Sequence, residues 1–242
     1  MSEIWALVPL KTLAQVKKRL APALTAELRR ELVLAMAQDV VSALLGVDLI
    51  TRILLVTNES SARHLFTTMG ADIYEPEVLG ALNPELEQAA AYAKSQGAEE
   101  VLMVHADLPL LTASAVREFI AAASPAIPRA AACKTGAGTN LLLTDLPLQF
   151  PLVFGYDSLS GFSKKFSALN KKMDVVMHPL LTFDIDTPDD LQTLLSKIKM
   201  GIPVGKATKD LLLREVLDRD KNMMETSAGD LHRPVNGTRL NG

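Results

Sequence analysis

One cysteine, Cys133, stands in 242 residues. That excludes an internal disulfide and any zinc cluster built on cysteines. The four histidines, His64, His105, His178 and His232, lie far apart and none has ligand spacing. No apolar run approaches the roughly 20 residues that span a membrane. The opening MSEIWALVPLK puts an acid before its apolar run and lacks a basic stretch, so no signal peptide is expected. Basic excess is missing too. The formal net charge is -3, which argues against nucleic acid or an acidic membrane as partner. No G-x-G-x-x-G follows a strand-like run, and there is no G-x-S-x-G elbow. GIPVGKAT, from Gly201, has three residues between its glycines instead of four, and Ala207 stands where a phosphate loop needs Ser or Thr. What remains is a chain 48% hydrophobic and 22% charged, with ample material for a core and a reducing, cytoplasmic location as its expected setting.

The hydrophobic pattern alternates between two periods. Short apolar runs predict strands at Ile4 to Leu10, Arg52 to Asn58, Ala71 to Pro76, Val101 to Asp107, Thr139 to Asp145 and Asp174 to Pro179. Helical stretches lie between most of them. In the clearest, Leu28, Leu32, Met36, Val40 and Leu44 recur every fourth residue, with Gly46 as the stop. Others are expected to begin at Asn83-Pro84, read as an N-cap followed by proline, at Thr112, and at Thr187-Pro188. Alternating strands and helices with near-continuous apolar strands predict an α/β, three-layer, Rossmann-like fold, its sheet mainly parallel and covered on both faces. Residues 1–204 are expected to form the main domain. Residues 205–242 read as one more helix, over KDLLLREVLDRD, and a polar, aperiodic, flexible tail.

Ligands of parallel α/β sheets sit beyond the carboxyl ends of strands, and three polar clusters fall there. The first, VPLKTLAQVKKRLAP, carries Lys11, Lys17, Lys18 and Arg19, cations suited to polyphosphate, although a solvated basic loop has the same composition. The second, VHADLPLL, ends an apolar strand on Asp107, either a ligand for a hard cation or a turn aspartate. The third, FDIDTPDD, puts four carboxylates into one short stretch. If it is extended, Asp184 and Asp186 share a face and repel one another unless a cation lies between them. Asp189 and Asp190 then fall in a helical first turn, where they favour the dipole. With Asp107, the first two make a three-carboxylate Mg2+ site.

Taken in order, VPLKTLAQVKKRLAP, ALNPELEQA, HADLPLL, GTNLLL, FGYDS and FDIDTPDDL resemble the 2-phospho-L-lactate guanylyltransferase family of coenzyme F-420 biosynthesis, from about Ile4 to Leu195. Members use 2-phospho-L-lactate, phosphoenolpyruvate or 3-phospho-D-glycerate as acceptor. The resemblance implies a nucleotide-diphospho-sugar-transferase-like fold, two Mg2+ ions and GTP as donor. Asp107, Asp184 and Asp186 then match the metal carboxylates. Lys11, Lys17 and Arg19 match the basic loop over the GTP phosphates, and Asn83 a position near the nucleoside. Thr139, Gly155 and Ser158 match the acceptor pocket, with Asn140 as a neighbour. GTP and a small phosphoacid are the expected partners, and a homodimer the expected assembly. Tyr156 replaces a proline common in the family and puts a phenol beside the acceptor. Two alternatives stay open: a molybdopterin or sugar-phosphate nucleotidyltransferase, which would usually carry a glycine-rich signature after the first strand, and a non-catalytic nucleotide-binding scaffold.

Overall fold

The computed structural model describes residues 3–13, 16–77, 80–122 and 127–215. The tail expected to be flexible, from residue 216 onward, lies outside the described residues. Seven strands form one sheet in the order β3-β2-β1-β4-β6-β5-β7. They are β1 (Ile4–Pro9), β2 (Ile50–Val56), β3 (Asp72–Tyr74), β4 (Glu100–Val104), β5 (Arg129–Ala132), β6 (Thr139–Asp145) and β7 (Asp174–Val176). Pairing is parallel from β3 across to β4 and between β5 and β7, while β6 runs antiparallel to both neighbours. The expected mainly parallel, mixed sheet is present. β5 was not anticipated.

Two apolar layers flank the sheet. On one face Ile4, Ala6 and Val8 of β1 meet α1 (Ala26–Leu45), α4 (Ala113–Ala121) and α7 (Pro188–Lys199), and on the other Trp5 and Leu7 meet α3 (Leu82–Ser95) and α5 (Ser158–Ala168). The same alternation sends Leu102 and Val104 of β4 to the first layer and Val101 and Met103 to the second. A strand buried on both sides has no polar face, which is why these runs read as continuous.

The helix starts follow cap chemistry. Thr25, Thr112 and Thr187 each accept the backbone N–H three residues on, as N-caps do. At Thr187 the cap is reciprocal, because the Asp190 carboxylate reaches back to the Thr187 N–H (2.8 Å). The expected cap at Asn83 is not formed. α3 begins at Leu82 with Ala81 as its cap residue, and Asn83 lies inside the first turn. Its amide is occupied elsewhere, accepting from Phe154 N (2.9 Å) and donating to Phe154 O (3.0 Å). Gly46 does stop α1, at φ -81, so it is not a left-handed cap. A Cβ there would lie 3.0 Å from that of Ala113, so the residue is small because α4 starts against it.

Part of the region after Val204 is helical, at residues 206–215, and Asp39 of α1 holds its start. The buried Asp39 carboxylate accepts from Ala207 N and Thr208 N, each at 2.8 Å. A Cβ on Gly205 would come within 2.2 Å of Asp39 Cγ, so only glycine lets the turn approach this acid. Asp39→Ala leaves the buried Thr208 N–H and the partly buried Ala207 N–H unpaired, and we expect a loss of about 2 kcal/mol. In a domain of this size that is roughly 5 °C in Tm, read by thermal circular dichroism.

Candidate active site

A cleft of about 1170 Å3 opens at the carboxyl ends of β1, β2 and β4. The chain reverses its order across the sheet between β1 and β4, which is where open α/β sheets place ligands. Lys11, Lys17, Lys18 and Arg19 line the cleft from the loop after β1, with Asp107, His105, Asp186 and Gly155 from other elements. Three clusters that are distant in sequence therefore meet in one cavity.

Lys17 is at the centre. Its Nζ lies 2.5 Å from Asp107 Oδ2 and 2.7 Å from Asp186 Oδ1. The backbone of Lys17 is left-handed, with φ 49 and ψ 46, a conformation that costs a lysine free energy and recurs at functional sites. The 3-10 turn Lys18–Leu20 follows, and Leu20 anchors it in the core. Glu59 steadies the other end of the loop by accepting from Leu13 N (3.1 Å). Burial draws the Lys17 ammonium downward, but the two carboxylates outweigh it and raise its pKa. Burial pushes Asp107 up, and the Lys17 ammonium overcomes that, so Asp107 stays ionised below the usual carboxylate range.

Asp184 is placed differently. Residues 183–186 pair with no strand, although Phe183 and Thr187 at either end of Asp184–Asp186 have extended backbone. Asp184 is buried, and its nearest cation is Lys134, at 3.8 Å from Oδ2. Burial and the charge of Asp107 raise its pKa against the pull of Lys134. Asp107 Oδ1 and Asp184 Oδ1 are buried with no hydrogen-bond partner. Among the described residues, no group of three or more His, Cys, Asp or Glu side chains is arranged to hold a metal ion.

The remaining expected residues divide. Gly155 lines the cleft at φ +144, open around its Cα, beside the Phe154 backbone that Asn83 clamps. Thr139 and Ser158 are buried and share a hydrogen bond (3.1 Å between hydroxyls) just behind it. Asn140, its neighbour on β6, faces the other way and donates to Leu181 O (3.0 Å). His105 donates its backbone N–H to Asn140 O (3.0 Å), packs its ring on Phe154 with centroids 5.4 Å apart, and leaves Nε2 unpartnered. Burial lowers its pKa although three acids lie near, which keeps the imidazole neutral. Tyr156 is fully exposed. Lys134 was missed altogether, since in CKTGAGTN it looks like one more turn lysine.

A mixed, mostly parallel seven-stranded sheet, with cations and acids gathered past its carboxyl ends, defines a nucleotidyltransferase-like α/β protein. Solved structures agree on the fold. A protein assigned as a nucleotide-diphospho-sugar transferase from Desulfovibrio desulfuricans G20 matches with TM-score 0.70 at 16% identity, over 91% of this chain and 98% of that one. 4-diphosphocytidyl-2C-methyl-D-erythritol synthase from Anaerococcus prevotii matches with TM-score 0.54 at 14% identity, over 82% and 99%. The chain belongs to the CofC-like guanylyl transferase family, whose model matches residues 4–225. It is similar to phosphoenolpyruvate guanylyltransferases of Roseiflexus castenholzii (35% identical over 217 residues, 90% of this chain and 97% of the relative) and Streptomyces coelicolor (33% over 195 residues, 79% and 90%). It is thus an enzyme, a GTP-dependent nucleotidyltransferase, and the scaffold alternative falls away.

Proposed function

We propose that this enzyme transfers GMP from GTP to the phosphate of a three-carbon phosphoacid in coenzyme F-420 biosynthesis, with phosphoenolpyruvate as acceptor. The observation that carries it is the convergence of the basic loop, Asp107 and Asp186 on one cleft, in a chain whose relatives bear that acceptor in their name. An oxygen of the acceptor phosphate bonds to the α-phosphorus of GTP, and the bond from that phosphorus to the bridging oxygen breaks, releasing pyrophosphate. The attacking phosphate is already an anion near neutral pH, so no side chain has to take a proton. The obstacle is charge repulsion between two anions.

Lys11, Lys17 and Arg19 offset that repulsion from the loop after β1. Asp107, Asp184 and Asp186 are the hard oxygen donors that would hold Mg2+, and the buried, unpartnered oxygens of Asp107 and Asp184 suit a cation. Such an ion would supply charge neutralisation at the phosphate oxygens. Gly155 lets the backbone approach the acceptor closely, while the buried Thr139–Ser158 hydroxyl pair supports that wall from behind. Asn83 supports the same wall by fixing Phe154 on both sides.

The test is an acceptor panel. The enzyme is incubated with GTP, Mg2+ and, separately, phosphoenolpyruvate, 2-phospho-L-lactate, 3-phospho-D-glycerate and a sugar phosphate, with the guanylylated product read by mass spectrometry. Phosphoenolpyruvate is expected to give the highest kcat/KM. A product only with the sugar phosphate would overturn the proposal. A preference for another three-carbon acid would correct the acceptor alone.

A further inference from the structure

Lys134 stands two residues past β5, in the turn leading to β6, and does not line the cleft. Its ammonium nevertheless reaches the acidic segment at both ends. It donates to the Asp184 carbonyl (2.9 Å) at the start and to Asp190 Oδ2 (2.6 Å) at the end. That same Asp190 oxygen accepts from Asp186 N (3.0 Å), Thr187 N (2.8 Å) and Thr187 Oγ1 (2.9 Å). Between these ties Ile185 is buried in the core, but the backbone has few partners of its own. Residues 183–186 have no sheet ladder, and the backbone bond into the segment, Ile185 N to Asp107 O, is long at 3.3 Å. A side-chain clamp therefore does the work that a strand pair does elsewhere.

The orientation matters as much as the anchoring. Lys134 takes the carbonyl of Asp184 and lies on the Oδ2 side of its carboxylate, at 3.8 Å, which leaves Oδ1 buried and bare. It also partly neutralises an acid that would otherwise repel Asp107. Asp190 gathers the donors of the next turn and so fixes the backbone N–H of Asp186, the acid that faces Lys17. One cation thus sets the position of two acids without touching the cleft.

We infer that Lys134 is a positioning residue, which restrains Asp184 and Asp186 and so sets the affinity of the site for a divalent cation. This rests on the Mg2+ role proposed above. Outer partners of metal ligands typically change affinity by about 10–100-fold when removed. The reach of the clamp suits an arginine as well, because a guanidinium can meet a carbonyl and a carboxylate together.

The experiment uses the full chain with a GTP analogue carrying a methylene bridge between the α and β phosphorus. Mn2+ is titrated by electron paramagnetic resonance into the wild type, Lys134→Met, Lys134→Gln and Lys134→Arg. We expect the Met and Gln variants to bind Mn2+ at least about tenfold more weakly, with the Arg variant close to wild type. In turnover assays, the Mg2+ concentration for half-maximal rate should rise in the same two variants while KM for GTP at saturating Mg2+ stays near the wild-type value. Should Lys134→Met fail to fold, Lys134→Gln, which keeps a donor and loses the charge, gives the same reading. Wild-type Mn2+ affinity in the charge-free variants overturns the inference and leaves the proposed Mg2+ role standing. A wild type that binds no Mn2+ overturns both.

Discussion

Asp107→Asn is expected to lower kcat/KM for GTP turnover by about a thousandfold or more, the scale of losing a principal electrostatic stabiliser of a transition state. The substitution keeps the side chain's shape and removes its charge. Lys17 retains Asp186 at 2.7 Å, so no cation is stranded. Leu108, Leu110 and Leu111 beyond it are buried in the core and hold the loop whatever residue 107 is. Stability should therefore change little, by about 1 kcal/mol at most. Pyrophosphate release gives the rate, and a thermal melt checks the fold. A variant that still consumes GTP at a near-normal rate would remove Asp107 from the chemistry. Asp186→Asn is expected to act in the same direction by a smaller factor, because Asp186 is the more exposed of the two, at 43% against 22%.

The sheet was legible because most of its strands are buried on both faces. β1, β4 and β6 are continuous apolar runs, and their alternate residues divide cleanly between the two layers. β5 was not legible. Its four residues, RAAA, carry little β propensity, and they are a strand because β6 and β7 pair with them on either side. The direction of β6 was equally hidden, since the side-chain period is two whichever way a strand runs. Helix starts set by nearby residues were readable at Thr112 and Thr187. The cap at Asn83 was misread because a partner 71 residues away, the Phe154 backbone, takes its amide.

The candidate site divides along the same line. Residue types suited to phosphate and hard cations were visible in Lys11, Lys17, Arg19, Asp107, Asp184 and Asp186. Which lysine meets which acid was not, because Lys17 is 90 residues from Asp107 and 169 from Asp186. Repulsion between Asp184 and Asp186 was expected to demand one shared cation. The structure shows a lysine beside each acid, Lys134 for the first and Lys17 for the second. Lys134 has no local signature, since a lysine in a glycine-containing turn is solvated far more often than not. Only the antiparallel return of β6 brings that turn to the acidic segment.

Lys17→Met should move two measurements in opposite directions. In the nucleotide-free protein, the Lys17 ammonium occupies the space between two carboxylates that are proposed to hold Mg2+, so a divalent ion has to displace it. Removing the ammonium leaves Asp107 and Asp186 facing each other without a counter-ion. Without metal, the variant is expected to lose about 2 kcal/mol, less than a fully buried pair would cost because Asp186 is partly solvated. Mn2+ affinity should rise by roughly tenfold, since one competing charge interaction of about 1.4 kcal/mol is gone. Added Mg2+ should then restore most of the lost Tm, by the ordinary linkage between binding and stability. Turnover goes the other way. The same ammonium is a cation of the loop proposed to meet the GTP phosphates, and without it kcat/KM should fall by at least about a hundredfold. Titration of Mn2+ into the nucleotide-free variant, a melt with and without Mg2+, and a pyrophosphate assay read the three effects. Metal affinity equal to that of the wild type would show that Lys17 and the ion do not compete, and would separate the lysine clamp from the proposed metal seat.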